Sequence, residues 1–469
     1  MGSPTSFLLT IATLVVSVLA DISVNLRFDF APVAVTYPST TEEVAAVVSC
    51  TSESLQIVAR SGGHSYIANG LGGKNGSLVI DLSNMTRVDV DASSGTATIE
   101  TGNRLGDVAF ALNNQGRALP HGTCTYVGIG GHVSGGGFGF TSRMWGLTLD
   151  TVQSMTVVLA NGTIVEPSSS SESDLFWAMR GAASSFGIIT SIDAETFPAP
   201  SFATVYAYNW QMNYSDAAAA LTQFQDFVTT DIPPEFGAEI NLGKGDSEGT
   251  VSLELTGGWY GDSIDTLQSV LDPFLQSMPP VDGQFSGNGT YIDSVQILGD
   301  GVVNTKAAGP DKTDTFYAKS LMTPEEQPIT LDAFEAYMKY LAYEGYNSET
   351  NWFMQFELYG GTNSFINSIN VDSTAFATRS ALFTVQLYAS SSNYEPPYPE
   401  DGFTFLDGAA DALTSTMGDG WDYGAYVNYA DDQLENEYYL YYKSHYPRLV
   451  ALKSQYDPTG VFDFPLSIQ

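Results

Sequence analysis

Two segments of this chain carry side chains whose type and setting could do chemistry. The first is Arg60-Ser61-Gly62-Gly63-His64-Ser65-Tyr66. It follows residues 55–60, an apolar run that reads as a buried strand. Adjacent glycines let the backbone approach a ligand and turn N–H groups toward an anion such as a pyrophosphate. A histidine in such a loop is more often a hydrogen-bonding residue than a covalent anchor, and the loop alone leaves both open. The second segment runs from His121-Gly122-Thr123-Cys124 through Gly128, Gly130, Gly131, Gly135 and Gly136, with eight glycines between residues 122 and 139. That density costs chain entropy. Backbone lying flat against a large rigid ligand would account for it, and the interleaved Val, Ile and Phe argue for burial over a flexible loop. A thiol in that setting is inert core or reactive, according to its thiolate character.

Both loops need rigid elements to hold them. Between about 27 and 197 the chain alternates short β-rich runs with glycine turns. Strands are predicted over 55–60 and 78–81, and a strand pair over 87–100, joined at Ser93-Ser94-Gly95. A hairpin is predicted from 152–159 and 164–166 around Asn161-Gly162. Helices are predicted over 40–52, where Thr40 and Glu43 have capping-box spacing, and over 103–115. Composition shifts near Pro198 and Pro200. From there to about 399, long strands (251–260, 352–359, 381–389) mix with amphipathic helices (217–228, 263–277). The final stretch, 438–462, is rich in tyrosine and partly helical. Pro447 opens a helical piece that ends before Asp457-Pro458. There is no internal repeat.

The chain has 469 residues, 43% of them apolar. One core stops growing at roughly 250–300 residues, so two lobes are expected. Acidic residues number 53 against 17 basic, a net charge of −36. Such a surface repels phosphate backbones and anionic lipid heads, which argues against nucleic-acid and membrane partners. Four histidines and two cysteines offer no metal-ligand spacing. Residues 7–20 form an apolar run ending in a small-x-small pattern, so residues 1–20 read as a signal peptide. Sequons at Asn75, Asn84, Asn161, Asn213 and Asn288 fit a secreted glycoprotein.

The two chemistry-bearing loops resemble the flavin-binding domain of the vanillyl-alcohol-oxidase superfamily, and most closely its berberine-bridge-enzyme-like branch. Gly146-Leu147-Thr148-Leu149-Asp150, Asp174-Leu175-Phe176-Trp177-Ala178-Met179-Arg180-Gly181 and Phe186-Gly187-Ile188-Ile189-Thr190 extend the likeness. So do Asn428-Tyr429-Ala430-Asp431 and Tyr456-Asp457-Pro458 with Phe462. The resemblance implies an α+β fold: an FAD-binding lobe from about 26–200 and 418–469, and a substrate lobe, 201–417, with a large antiparallel sheet. It implies FAD bound covalently through His64 and Cys124, with contacts from Arg60, Ser61, Gly62, Gly63, Ser65, Gly128, Gly130, Gly131, Gly135, Gly136, Gly187, Ile189 and Asn428.

On the substrate side the chain is similar to fungal oligosaccharide oxidases. Tyr429 matches their catalytic tyrosine and Glu357 a carboxylate that is usually Asp, so here the side chain is one methylene longer. Tyr66, Glu239, Gln355 and Gln386 match substrate-binding positions. The resemblance implies a monomeric oxidase of the reducing-end hydroxyl of an oligosaccharide, with dioxygen as acceptor. An oxidase of a secondary metabolite or aromatic alcohol, and a flavin-binding protein without turnover, are the alternatives. It also implies a longer segment before Asn25, with a cysteine that pairs with Cys50.

Overall fold

The computed structural model describes residues 23–51 and 55–469, so the expected signal peptide lies outside the described residues. The first lobe is built on two main sheets, with a short ladder pairing Arg117–Ala118 and Phe197–Pro198 beside them. Ala34–Thr36, Leu78–Asp81 and Ile57–Arg60 form a parallel sheet with the middle strand drawn from Leu78–Asp81. The helix Thr41–Thr51 covers it, burying Val44, Ala45 and Val48. Its start departs from a full capping box: Thr40 Oγ1 accepts from Glu43 N, but the Glu43 carboxylate reaches past Thr40 to Ser39 N. A five-stranded antiparallel sheet follows, in the order Val88–Asp91, Thr96–Glu100, Ile188–Glu195, Val152–Val158, Ile164–Val165.

The second lobe is a seven-stranded antiparallel sheet. Its order is Gly283–Gly289, Ala203–Asn213, Thr250–Trp259, Phe236–Lys244, Asn351–Leu358, Ala381–Ser390, Phe316–Pro324. Alternation decides its two faces. Ile240, Leu242, Met354, Phe356, Val385 and Leu387 point to one side and pack under the helices Tyr214–Val228, Ile264–Leu275, Leu331–Tyr340 and Glu400–Met417. Three of these helices start at side-chain caps: Asn213 Oδ1 accepts from Ser215 N and Asp216 N, Ser263 Oγ from Thr266 N, and Thr330 Oγ1 from Ala333 N. The opposite face carries polar residues and is turned toward the first lobe.

Buried arginines lock the lobes together. Arg143 donates to the carbonyls of Pro233, Phe236 and Gly360. Arg379 pairs in bidentate fashion with Asp150, at 2.7 and 2.9 Å. After Met417 the chain returns to the first lobe and ends in the helix Tyr446–Tyr456, with Pro447 in its first turn. The Asp457 carboxylate then takes Lys453 Nζ and the N–H groups of Val461 and Phe462. Among the described residues no helix is long and apolar enough to cross a membrane, and no group of three or more His, Cys, Asp or Glu is set to hold a metal ion.

Candidate active site

The polar face of the large sheet supplies one wall. Cross-strand register sets Glu239 opposite Glu357, and Glu357 opposite Thr384, in a single row. Asn241, Gln355, Gln386 and Ser320 form the next row. Gln355 Nε2 and Asn241 Nδ2 both donate to Glu239 Oε1, at 3.2 and 3.1 Å. Gln386 Nε2 donates to Tyr66 Oη at 2.5 Å.

The returning segment delivers Tyr429. Two anchors fix its loop, the buried Asp431 and the half-buried Asn428. Asp431 accepts from Lys319 Nζ and Tyr317 Oη, and Asn428 Nδ2 donates to His132 O and Tyr426 Oη. Tyr429 Oη then donates to Glu357 Oε1 at 2.7 Å. The extra methylene of Glu357 therefore still places a carboxylate oxygen in direct contact with the tyrosine. Tyr66 lies parallel to Tyr429, 5.6 Å between ring centres and 4° between planes, while Tyr426 meets Tyr429 edge-on.

Burial dominates the electrostatics. It raises the Glu357 carboxyl well above the usual range, and the charge of Glu239 adds to this against the Tyr429 hydrogen bond. Glu239 is raised to about 7, again by burial first. Tyr429 is pushed well above an ordinary phenol by burial and then by Glu357. Glu357 Oε2 is buried and has no hydrogen-bond partner among the described residues.

The first lobe supplies the facing wall. The loops at Gly62 and Gly128 touch backbone to backbone: a Cβ on either glycine would collide with the other's main-chain nitrogen. Ser61 Oγ ties them by donating to Thr101 O and accepting from Gly130 N. At Gly131, by contrast, an added Cβ meets no atom of the described residues within 4 Å. His64 Nε2 contacts Asp311 Oδ2 at 2.7 Å. The Cys124 side chain opens toward the cavity. Its crowded setting raises the thiol, and Asp311 and Asp300 raise it further against N–H groups of Tyr126 and Val127. His121 and His132, near it in sequence, are structural. Burial lowers both, His132 to about 3, and their rings bond Tyr291 Oη and Gly122 N.

One cavity of about 420 Å³ joins these walls, a size within the usual range of ligand sites. Every residue singled out from the sequence lines it, from Arg60 and His64 through Cys124 and Ile189 to Glu239, Glu357, Gln386 and Tyr429, except Gly136. Gly136 stands behind the wall, where a φ of 149° turns the chain against the Tyr426 ring. Period-two alternation around Glu239 and Gln386 would have found Asn241 and Thr384. Nothing in the sequence flags Asp311, which comes from a loop of the other lobe.

The sequence matches the family model described as FAD binding domain over residues 32–168, and the one described as berberine and berberine like over 425–469. It is 36% identical to the glucooligosaccharide oxidase of Sarocladium strictum, with 95% of this chain and 89% of that protein covered. It is 38% identical to the chitooligosaccharide oxidase of Gibberella zeae, with the same coverage. The chain belongs to this family of FAD-dependent oligosaccharide oxidases. Its fold overlays the glucooligosaccharide oxidase of Acremonium strictum, which carries a 6-S-cysteinyl, 8α-N1-histidyl FAD, with a TM-score of 0.89 at 32% identity, covering 100% and 99% of the two chains. The α+β architecture of this oxidase is thus that of its relatives. The glycine-lined cradle fits the FAD such a domain binds: the open space at Gly131 and the close Gly62–Gly128 contact leave room for a flat ligand beside both His64 and Cys124.

Proposed function

We propose that this oxidase holds FAD covalently through His64 and Cys124 and oxidises the anomeric hydroxyl at the reducing end of an oligosaccharide to the lactone. The observation that carries the reading is the Tyr429–Glu357 hydrogen bond facing the cavity beside Glu239, Gln355 and Gln386. When bound, FAD takes the hydride from the anomeric carbon and passes the electrons to dioxygen, yielding hydrogen peroxide.

The side chains supply the proton chemistry. A phenol raised by burial and by a neighbouring carboxylate is not a standing phenolate. Tyr429 therefore acts as a relay: its oxygen accepts the substrate proton as its own passes along the 2.7 Å bond to Glu357. The raised carboxyl is the stronger base for it once ionised, and its unpaired Oε2 can receive a second sugar hydroxyl. Gln355, Gln386 and Glu239 offer amides and a carboxylate to the remaining hydroxyls. A secondary metabolite or aromatic alcohol without such hydroxyls would leave these groups unpaired.

Secretion is part of the same reading. Residues 1–20 have the pattern of a signal peptide, and all five sequon asparagines among the described residues are exposed. The acidic surface suits a soluble monomer.

Acid denaturation followed by separation of protein from small molecules tests the tethers. Flavin colour is expected to stay with the wild type and with His64→Ala or Cys124→Ala, and to leave the double variant. A peroxide-coupled screen of oligosaccharides tests the substrate. Colour released from the wild type would refute the tethers, and a flavin no sugar bleaches would refute the reaction.

A further inference from the structure

His64 does not stand alone in the cavity wall. Its Nε2 faces Asp311 Oδ2 at 2.7 Å, and both side chains are largely shielded, with 15% and 25% of their surfaces exposed. Asp311 reaches His64 from the second lobe, on the loop leading into the strand Phe316–Pro324. That loop is held at both ends. Tyr126 Oη donates to Gly309 O, while Asp314 exchanges backbone bonds with Val24 and Leu26. Lys312 N donates to the other carboxylate oxygen of Asp311 at 2.8 Å. Burial would raise this carboxyl, but His64, the Lys312 N–H and Arg104 together hold it below the usual range, so it is ionised.

We propose that Asp311 is the positioning residue for attachment of the flavin to His64, a proposal that rests on the tether reading above. Asp311 Oδ2 lies 2.7 Å from Nε2 but is not aligned for a hydrogen bond and has no hydrogen-bond partner among the described residues; its charge beside Nε2 favours the proton on that nitrogen, which leaves the Nδ1 lone pair as the ring's nucleophile. Among the described residues Nδ1 takes no hydrogen bond. In the attachment step a bond forms between Nδ1 and the 8α-carbon, and one C–H bond of the 8α-methyl and the Nε2–H bond break. Alkylation at Nδ1 makes the Nε2 proton acidic, and Asp311 is placed to take it. Two electrons and two protons pass to the ring system, and dioxygen removes them as hydrogen peroxide. Nothing in this arrangement serves Cys124 in the same way. Asp311 raises that thiol and so disfavours its thiolate.

The test is peptide mass mapping of the full-length protein after acid denaturation, backed by flavin fluorescence in a denaturing gel. Asp311→Leu removes the acceptor, whereas Asp311→Asn keeps an oxygen for Nε2–H but no base. In Asp311→Leu the fraction of His64 peptide carrying flavin is expected to fall at least tenfold, while the Cys124 peptide stays modified and reports a folded, flavin-loaded protein. Asp311→Asn should fall between. With Cys124→Ala added, Asp311→Leu should release its flavin into acid although Cys124→Ala alone retains it. A His64 peptide modified to the wild-type extent in Asp311→Leu overturns the proposal and leaves the tether standing. Flavin lost from Cys124→Ala alone removes His64 as a tether and the proposal with it.

Discussion

Glu357→Gln separates a relay from a tyrosine that merely binds. The substitution keeps an oxygen at the 2.7 Å position, so Tyr429 stays oriented, but it removes the group that receives the proton. Positioned general bases contribute roughly 10²–10⁴-fold, or about 3–5 kcal/mol of barrier. Anaerobic stopped-flow reduction of the flavin by a saturating oligosaccharide reads that step directly. The sign of the pH dependence follows from burial. Glu357 must be ionised to accept a proton, and its carboxyl sits well above the usual range. Wild-type reduction should therefore rise with pH, with a midpoint above that of a free carboxylate. Glu357→Gln should be slow at every pH and lack this limb. Glu357→Asp is expected to keep the limb but lose about 10²-fold, since removing about 1.5 Å of side chain stretches the contact beyond hydrogen-bond range. Flavin absorbance should be unchanged in all three. Reduction of Glu357→Gln within threefold of wild type, with the acid limb intact, would refute the relay.

Further outcomes follow from the same charges. Glu239, raised from 4.5 to about 7, destabilises the folded state when ionised. The penalty is absent below about pH 4.5, grows as pH rises, and is complete above pH 7. There it amounts to about 1–3 kcal/mol after screening by cavity water. Glu239→Gln should thus be more stable than wild type in urea at pH 8 and equal to it at pH 4, and equal stability at both would sink the argument. Arg379→Leu strands the buried Asp150 carboxylate and is expected to cost about 3–5 kcal/mol in the same assay. A loss below 1 kcal/mol would show that Asp150 finds its partners elsewhere.

Much of this oxidase is written in local sequence. The Gly62–Gly63 loop ends a strand whose apolar run is visible, and the helix starts at Asn213 and Ser263 follow from side chains that cap their own backbone. The glycine density of residues 122–139 announces a close approach, and at Gly128, Gly135 and Gly139 a Cβ would collide with a neighbouring segment. Alternation along Phe236–Lys244 and Asn351–Leu358 sorts Glu239, Gln355 and Glu357 onto one face. Tertiary structure decided what that face meets. Tyr429 and Glu357 are 72 residues apart, and whether a carboxylate one methylene longer reaches the phenol depends on where two anchored segments come to rest. The same holds for Asp311, an ordinary loop aspartate by sequence. It became the partner of His64 only because the second lobe folds its loop over the first. Gly136 shows the converse: its sequence neighbours line the cavity, but a single turn of backbone sets it behind the wall against Tyr426. Local propensity depends on a few neighbouring residues and can be read from them. A contact between distant segments depends on the packing of every element between, and the chain states that only once folded.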